Sequence, residues 1–192
     1  MKTVNKITIA SAALAVLGLF ALSLRGDEGR HSGSWRKIVI DVACDARTLV
    51  VNNVSPTDTE PKRGATFIVN GKIVPGGTIA AGNGLDVDTL TGSLGTWVCR
   101  GTFNFALSQI QSGSVPGHST TQHYLFSPTG GLATDDSLMS EGQETGITTH
   151  RVVMGGTGMF RGNIGEVKQE ILGVNNTGLF NFRFTFMVRS SD

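Results

Sequence analysis

Near the end of the chain Phe180, Phe182, Phe184, Phe186 and Val188 alternate with Asn181, Arg183, Thr185 and Arg189. A period of two belongs to a strand with one buried face, and phenylalanine is a good strand former. The same pattern recurs earlier. Trp35 to Cys44 puts Ile38, Ile40, Val42 and Cys44 on one face, and Thr48 to Val54 reads as a second, shorter strand. Ala65 to Val69 and Gly71 to Val74 read as strand pieces about Asn70-Gly71, a strong hairpin signal. Thr96 to Leu107 carries Trp97, Cys99, Phe103, Phe105 and Leu107 on one face and Arg100, Thr102 and Asn104 on the other. Ser119 to Phe126 is another strand. Leu132 to Gly146, acidic and weakly patterned, reads as an edge strand with turns. Gly146 to Met154, Gly165 to Val174 and Gly178 to Val188 complete the series.

Pro56, Pro61, Pro75-Gly76-Gly77, Gly82-Asn83-Gly84, Val115-Pro116-Gly117 and Pro128-Thr129-Gly130-Gly131 punctuate these runs. After residue 34 no run keeps a helical period. Roughly eight strands with regular turn signals predict an all-β domain, and a single eight-stranded antiparallel β-barrel is the form that leaves no exposed edge and encloses a ligand-sized lumen. The most unusual stretch is Gly155-Gly156-Thr157-Gly158-Met159-Phe160-Arg161-Gly162. Such a density of glycine suits neither helix nor strand and predicts a sharp structural corner at Gly155, Gly156, Gly158, Phe160 and Gly162.

The N-terminus reads differently. Lys2 and Lys6 precede an apolar run from Ile7 to Leu24, the grammar of a secretory signal, with small residues at Ala21 and Ser23 where a peptidase would cut. An uncleaved anchor is the competing reading, because the run is near the roughly 18 residues that span a bilayer. Either way the folded part is exported, secreted or periplasmic, and any membrane contact is through that segment. Residues 25–34 form a polar linker and residues 35–190 the barrel domain. The formal charge of the chain is +1, and loss of Lys2 and Lys6 with the leader makes it −1. A near-neutral domain has no electrostatic footprint for nucleic acid. Cys44 and Cys99 both lie on apolar strand faces, which allows either one disulfide or two buried thiols.

Candidate chemistry is sparse. Arg100, His123, Tyr124, Glu141, His150 and Arg151 are the polar residues on strands or strand ends that could reach a lumen. Arg100 lies opposite Cys99 and Phe103 in parity, which points it outward. Of His123 and Tyr124 only one can be inside. Tyr124, the single tyrosine, is a candidate acid or substrate clamp, since a buried phenol needs a hydrogen-bond partner. Glu141 is a candidate general acid or base if it enters an apolar lumen, where its pKa would rise. Packing and a solvated turn are the plainer roles of these two. His118, His123 and His150 match no zinc spacing, so no metal site is read. The glycine corner lacks the Gly-Lys-Ser/Thr ending of a phosphate loop, and no Gly-x-Ser-x-Gly elbow is present. Phe67, Trp97, Phe103, Phe105, Phe182 and Phe184 are the candidate lumen and ligand-binding residues. The alternative for the phenylalanine row is a face buried against another subunit.

The corner from Gly155 to Gly162, followed by Gly165-Glu166 and a last pair of strands, resembles the glycine-rich corner of plant dirigent proteins and of the allene oxide cyclase barrel superfamily. Gly64 to Ile73 and Trp97 to Gly101 stand where such barrels have early and middle strands and are more similar to bacterial members. Asn163-Ile164 replaces the Ala-Arg of many relatives, so no function tied to that arginine carries over. The resemblance implies an eight-stranded barrel with an apolar lumen, often a homotrimer, needing no cofactor. It also implies confinement chemistry, in which a small apolar molecule is held in one conformation for cyclisation, isomerisation or stereoselective coupling. A homodimer, a non-catalytic hydrophobic-ligand carrier and a structural surface protein with a filled barrel are the alternatives.

Overall fold

The computed structural model describes residues 34–113, 117–127 and 136–190. The expected leader, 1–24, and all but the last residue of the linker lie outside them. Eight strands form one closed antiparallel barrel in chain order: β1 (Arg36–Asn52), β2 (Thr66–Pro75), β3 (Gly95–Phe103), β4 (His118–Phe126), β5 (Ser137–Glu144), β6 (Thr148–Thr157), β7 (Asn163–Val174) and β8 (Phe180–Ser190). A short helix α1 (Leu107–Gln111) follows β3. Closure comes from β1 and β8, whose register runs from Arg36 opposite Val188 to Ala43 opposite Asn181.

Alternation fixes which side chains fill the interior. Ile40, Val42, Ile73, Trp97, Tyr124, Val167, Phe184 and Phe186 are all buried in one cluster. Each large apolar side chain so buried contributes about 1.5–3 kcal/mol. Aromatic rings pack edge to face across it, Tyr124 lying 5.2 Å from Phe184 and 4.8 Å from Phe186 between centroids. A second, smaller core sits on the outside of the wall, where Ala43 and Val74 are covered by Ile79 and Val87 from the long β2–β3 connection. Asp41, also outward and fully buried, ties that cover down. Its carboxylate accepts from the backbone of Gly77 and Ile79 and pairs with Arg183 at 2.8 Å.

Several expected boundaries move. The two strands read before residue 54 are one bent strand, β1, with a register shift between Asp45 and Val50. Thr48 repairs the interrupted ladder, its hydroxyl accepting the N–H of Asn70 at 2.8 Å. Asn70-Gly71 is no hairpin and lies mid-strand in β2. Gly71 is required there for space, because a Cβ would come 2.7 Å from Val42 Cγ1 and 3.2 Å from the Trp97 ring. The Leu132–Gly146 segment contributes β5, which is paired on both sides and is no edge.

The glycine corner is shorter than expected, because Gly155 and Gly156 are strand residues of β6 paired with Met139 and Leu138. After β6 a single 3-10 turn, Gly158–Phe160, folds Phe160 inward, where it is buried against Phe126 at 5.0 Å. Gly158 takes φ +57°, a left-handed conformation that favours glycine. At Gly156 a Cβ would overlap the carbonyl oxygen of Ser137 and the Cβ of Phe160.

Candidate functional site

Read along β4, the inward residues change from apolar to polar: Phe126 and Tyr124 at the plugged end, then Gln122, Thr120 and His118. The facing strand β5 does the same. Leu138 stands opposite Tyr124, Ser140 opposite Gln122, Gly142 opposite Thr120 and Glu144 opposite His118. Arg151 on β6 and Gln169 on β7 share this interior and are buried too. The bare Gly142 makes room for Arg151, whose Cγ and Cβ lie 3.2 and 3.3 Å from where a Cβ would be.

These groups form one hydrogen-bonded set. The Tyr124 hydroxyl donates to Gln122 Oε1 at 2.6 Å, and Trp97 Nε1 reaches the same oxygen at 3.4 Å. The Gln122 amide then donates to Glu144 Oε1 at 3.0 Å and to Gln169 Oε1 at 2.9 Å. Every hydrogen-bonding position of the Gln122 side chain is thereby used. Arg151 donates from Nε to Ser140 Oγ at 3.2 Å, from Nη1 to Thr120 Oγ1 at 2.6 Å and from Nη2 to the Thr120 carbonyl at 2.7 Å. Its guanidinium is wholly buried and lies 4.0 Å from Glu144 Oε1. A buried cation needs such acceptors and a counter-charge. Among the described residues, Glu144 Oε2 carries no hydrogen bond.

Beyond Glu144 lies a ring of aromatic edges. His118 packs 4.6 Å from Phe103 and 5.3 Å from Phe67, which are 5.5 Å apart. Burial lowers the His118 pKa, against the opposing pull of the Glu144 charge, so at neutral pH the imidazole is uncharged. Burial pushes the Tyr124 phenol well above its ordinary range, and it remains a proton donor. The Cys44 and Cys99 thiols are raised by burial in the same way. The interior thus combines a neutral phenol, a neutral imidazole, a carboxylate and a fixed cation. Such a set can hold the polar end of a small molecule, polarise it and exchange a proton with it.

The residues singled out from sequence divide. Tyr124 is inside, and His123 faces out. Glu141 is not inside: it is exposed on the outer wall opposite Val152, the parity of β5 placing Ser140 and Glu144 inward instead. Phe67, Trp97, Phe103, Phe182 and Phe184 have inward parity. Phe105 does not line the lumen, because β3 ends at Phe103 and the chain turns away toward α1. Cys44 and Cys99 are separate buried thiols and form no disulfide. Arg100 faces outward, and His150 is an exposed partner of Glu166 at 2.9 Å. Gln122, Glu144 and Gln169 were not among the sequence candidates. Their signal was parity, as polar residues two apart on faces that otherwise read as buried.

No model of a protein family matches the chain, and no curated protein is significantly similar to it. Solved structures do match. One pterocarpan synthase dirigent protein aligns with a TM-score of 0.59 and 12% identity over 85% of this chain and 88% of its own. A second aligns at 0.53 and 13% over 83% and 97%. The Diels Alderase AbmU from Streptomyces koyangensis aligns at 0.48 and 13% over 96% and 83%. At these identities the likeness is one of fold: a closed eight-stranded antiparallel barrel similar to that of the two dirigent proteins.

Proposed function

We propose that the barrel binds a small, largely apolar molecule at the Glu144 end of its interior and guides a cofactor-free cyclisation, isomerisation or stereoselective coupling. The observation that carries this reading is the buried polar set around Gln122. An interior built only for stability would gain more from apolar packing than from a buried cation. Here, among the described residues, a Glu144 oxygen without a hydrogen bond stands on the residue opposite His118, which packs against Phe67 and Phe103. In this reading Glu144 orients or deprotonates the bound molecule. Tyr124 acts through Gln122 rather than on the molecule itself, since its hydroxyl is spent on Gln122 and Ser140. The dirigent fold supports the reading by analogy only.

A carrier without turnover is the second reading, favoured by the saturation of the Arg151 guanidinium by Thr120 and Ser140. We place the protein's work outside the cytoplasm on the strength of its N-terminal pattern, and we expect a homotrimer or homodimer. The exposed outer row of Val152, Met154, Ile164 and Met187 supports self-association.

Native mass spectrometry of the protein purified gently from its own host tests all of this at once. A co-purifying small apolar mass, lost in a Glu144→Gln variant, is the expected result. An apo mass, with no uptake of hydrophobic dyes, would overturn the ligand reading. The subunit number comes from the same spectrum.

A further inference from the structure

The outer wall carries a second candidate site. Two hollows of about 520 and 500 Å3 lie along the outer side of β3 and meet at Thr102. Both are within the size range of small-molecule sites. The first holds Arg100, with the hydroxyl residues Thr66, Ser119 and Thr121 and the carboxylate Glu141 around it. The second holds Arg63, with Asn104 and Gln143 and the ring of Phe105. Neither contains any residue of the polar set around Gln122 except Thr120 at its margin.

The charged side chains of this groove are unspent, while Ser119 donates its hydroxyl to Asn104 Oδ1 at 3.1 Å. Among the described residues, Arg63, Arg100 and Glu141 make no ion pair and no side-chain hydrogen bond, whereas Arg47, Arg151 and Arg183 are all so engaged. Arg100, Thr121 and Glu141 stand in register across three strands. Two strand spacings separate the guanidinium-bearing residue from the carboxylate-bearing one, about 10 Å. The two side chains form no ion pair, and the hydroxyl residue Thr121 stands between them. Along the strand, Arg100 to Asn104 covers about 13 Å, so the groove accepts an elongated molecule.

We propose that this groove binds an acidic oligosaccharide, a chain of sugars bearing carboxylates. A guanidinium fork matches a carboxylate in two parallel hydrogen bonds, and each hollow offers one unpaired fork. Sugar hydroxyls donate and accept, as do the threonine and serine hydroxyls and the asparagine and glutamine amides that flank the forks. Glu141 accepts from sugar hydroxyls on the far flank. The ring of Phe105 offers an apolar surface for the C–H face of a sugar. The hollows share Phe67, Phe103 and Thr120 with the barrel interior, but Arg63, Arg100 and Glu141 have no part in the lumen reading, so failure of this site leaves that reading untouched.

The test is calorimetric titration of the purified full chain with tetragalacturonate, and with cellotetraose as the neutral counterpart. The expected result is binding of tetragalacturonate that weakens as salt is added and falls on the order of tenfold in Arg100→Ala and in Arg63→Ala. Arg100→Lys, which keeps the charge and loses the fork, falls in between. Amide NMR shifts should move at Arg100, Thr102 and Thr121. Absence of binding, equal binding of cellotetraose, an Arg100→Ala variant that binds like the parent, or shifts centred on Gln122 and Gln169 would each overturn the proposal. All the substituted positions are exposed on the outer wall, so the variants keep the fold.

Discussion

Replacing Arg151 by methionine is the sharpest probe of the interior network. Methionine keeps much of the length and volume and removes the charge with all its donors. Four acceptors lose a partner: the Thr120 carbonyl at 2.7 Å, Thr120 Oγ1 at 2.6 Å, Ser140 Oγ at 3.2 Å and, more weakly, the Ser140 carbonyl at 3.5 Å. The two hydroxyls have alternatives, Thr120 turning toward Glu144 at 3.5 Å and Ser140 toward Tyr124 at 3.1 Å. A backbone carbonyl cannot turn to a new donor as a hydroxyl can, and a buried acceptor left unpaired costs about 1–3 kcal/mol. Loss of the counter-charge for Glu144 adds to this, discounted because Glu144 is 23% exposed and 4.0 Å away. A total of about 3 kcal/mol follows, equivalent to about 6–12 °C in Tm for a domain of this size. Urea unfolding followed by tryptophan fluorescence reads it, Trp97 being in the same interior. A companion Glu144→Gln change removes the unbalanced charge, so the double variant should recover on the order of 1 kcal/mol relative to the sum of the singles. If Arg151→Met costs less than about 1 kcal/mol, or the double variant is strictly additive, the guanidinium is not held as described and the buried network is wrong.

Other outcomes follow from the same geometry. Gly71→Ala should destabilise by about 1–3 kcal/mol, since its Cβ meets Val42 at 2.7 Å and the Ala43 carbonyl at 2.9 Å, and thermal denaturation checks it. The pKa of His118 is lowered in the fold, so the unfolded chain binds the proton more readily; stability should fall with acidification from about pH 6.5 down to the folded value. His118→Gln should flatten that part of the urea-midpoint profile. His123, lowered by partial burial and the Arg100 charge, supplies the remainder. The carboxylates of Asp45, Glu60 and Asp88, held low by Arg47 and Lys62, act in a separate and more acidic window. Cys44 and Cys99 should be silent toward a thiol reagent in the native protein and both titrate on unfolding without reductant; a chain that yields no thiol would refute the free-cysteine assignment.

How far the sequence could be read depended on where parity was clean. Phe180 to Val188 alternates without interruption, and β8 lies where the pattern put it. In β1 the bulge after Asp45 shifts the pairing, so one strand reads as two. Asn70-Gly71 carried a turn signal, but glycine serves there as absence of a side chain beneath Trp97, and composition does not distinguish the two uses. Tyr124 could be named because it is the single tyrosine on a clear strand. Glu141 was expected to reach the lumen only if its face was buried, and it faces out; Leu132 to Gly146 has too few apolar residues to reveal which face is inward. The interior polar set draws on β4, β5, β6 and β7, and closing it depends on inter-strand register, which a single sequence does not state.

Closure between β1 and β8 sets an order of events for this chain. Arg36 finds its partner Val188 only after the six strands between β1 and β8 have been made. Until β8 arrives, seven strands form an open sheet with two bare edges, and Ile40 and Val42 lack Phe184 and Phe182 opposite them. Such long-range pairing is slow to form. The strand β8, by closing on β1, is therefore also the one that times the folding of the barrel.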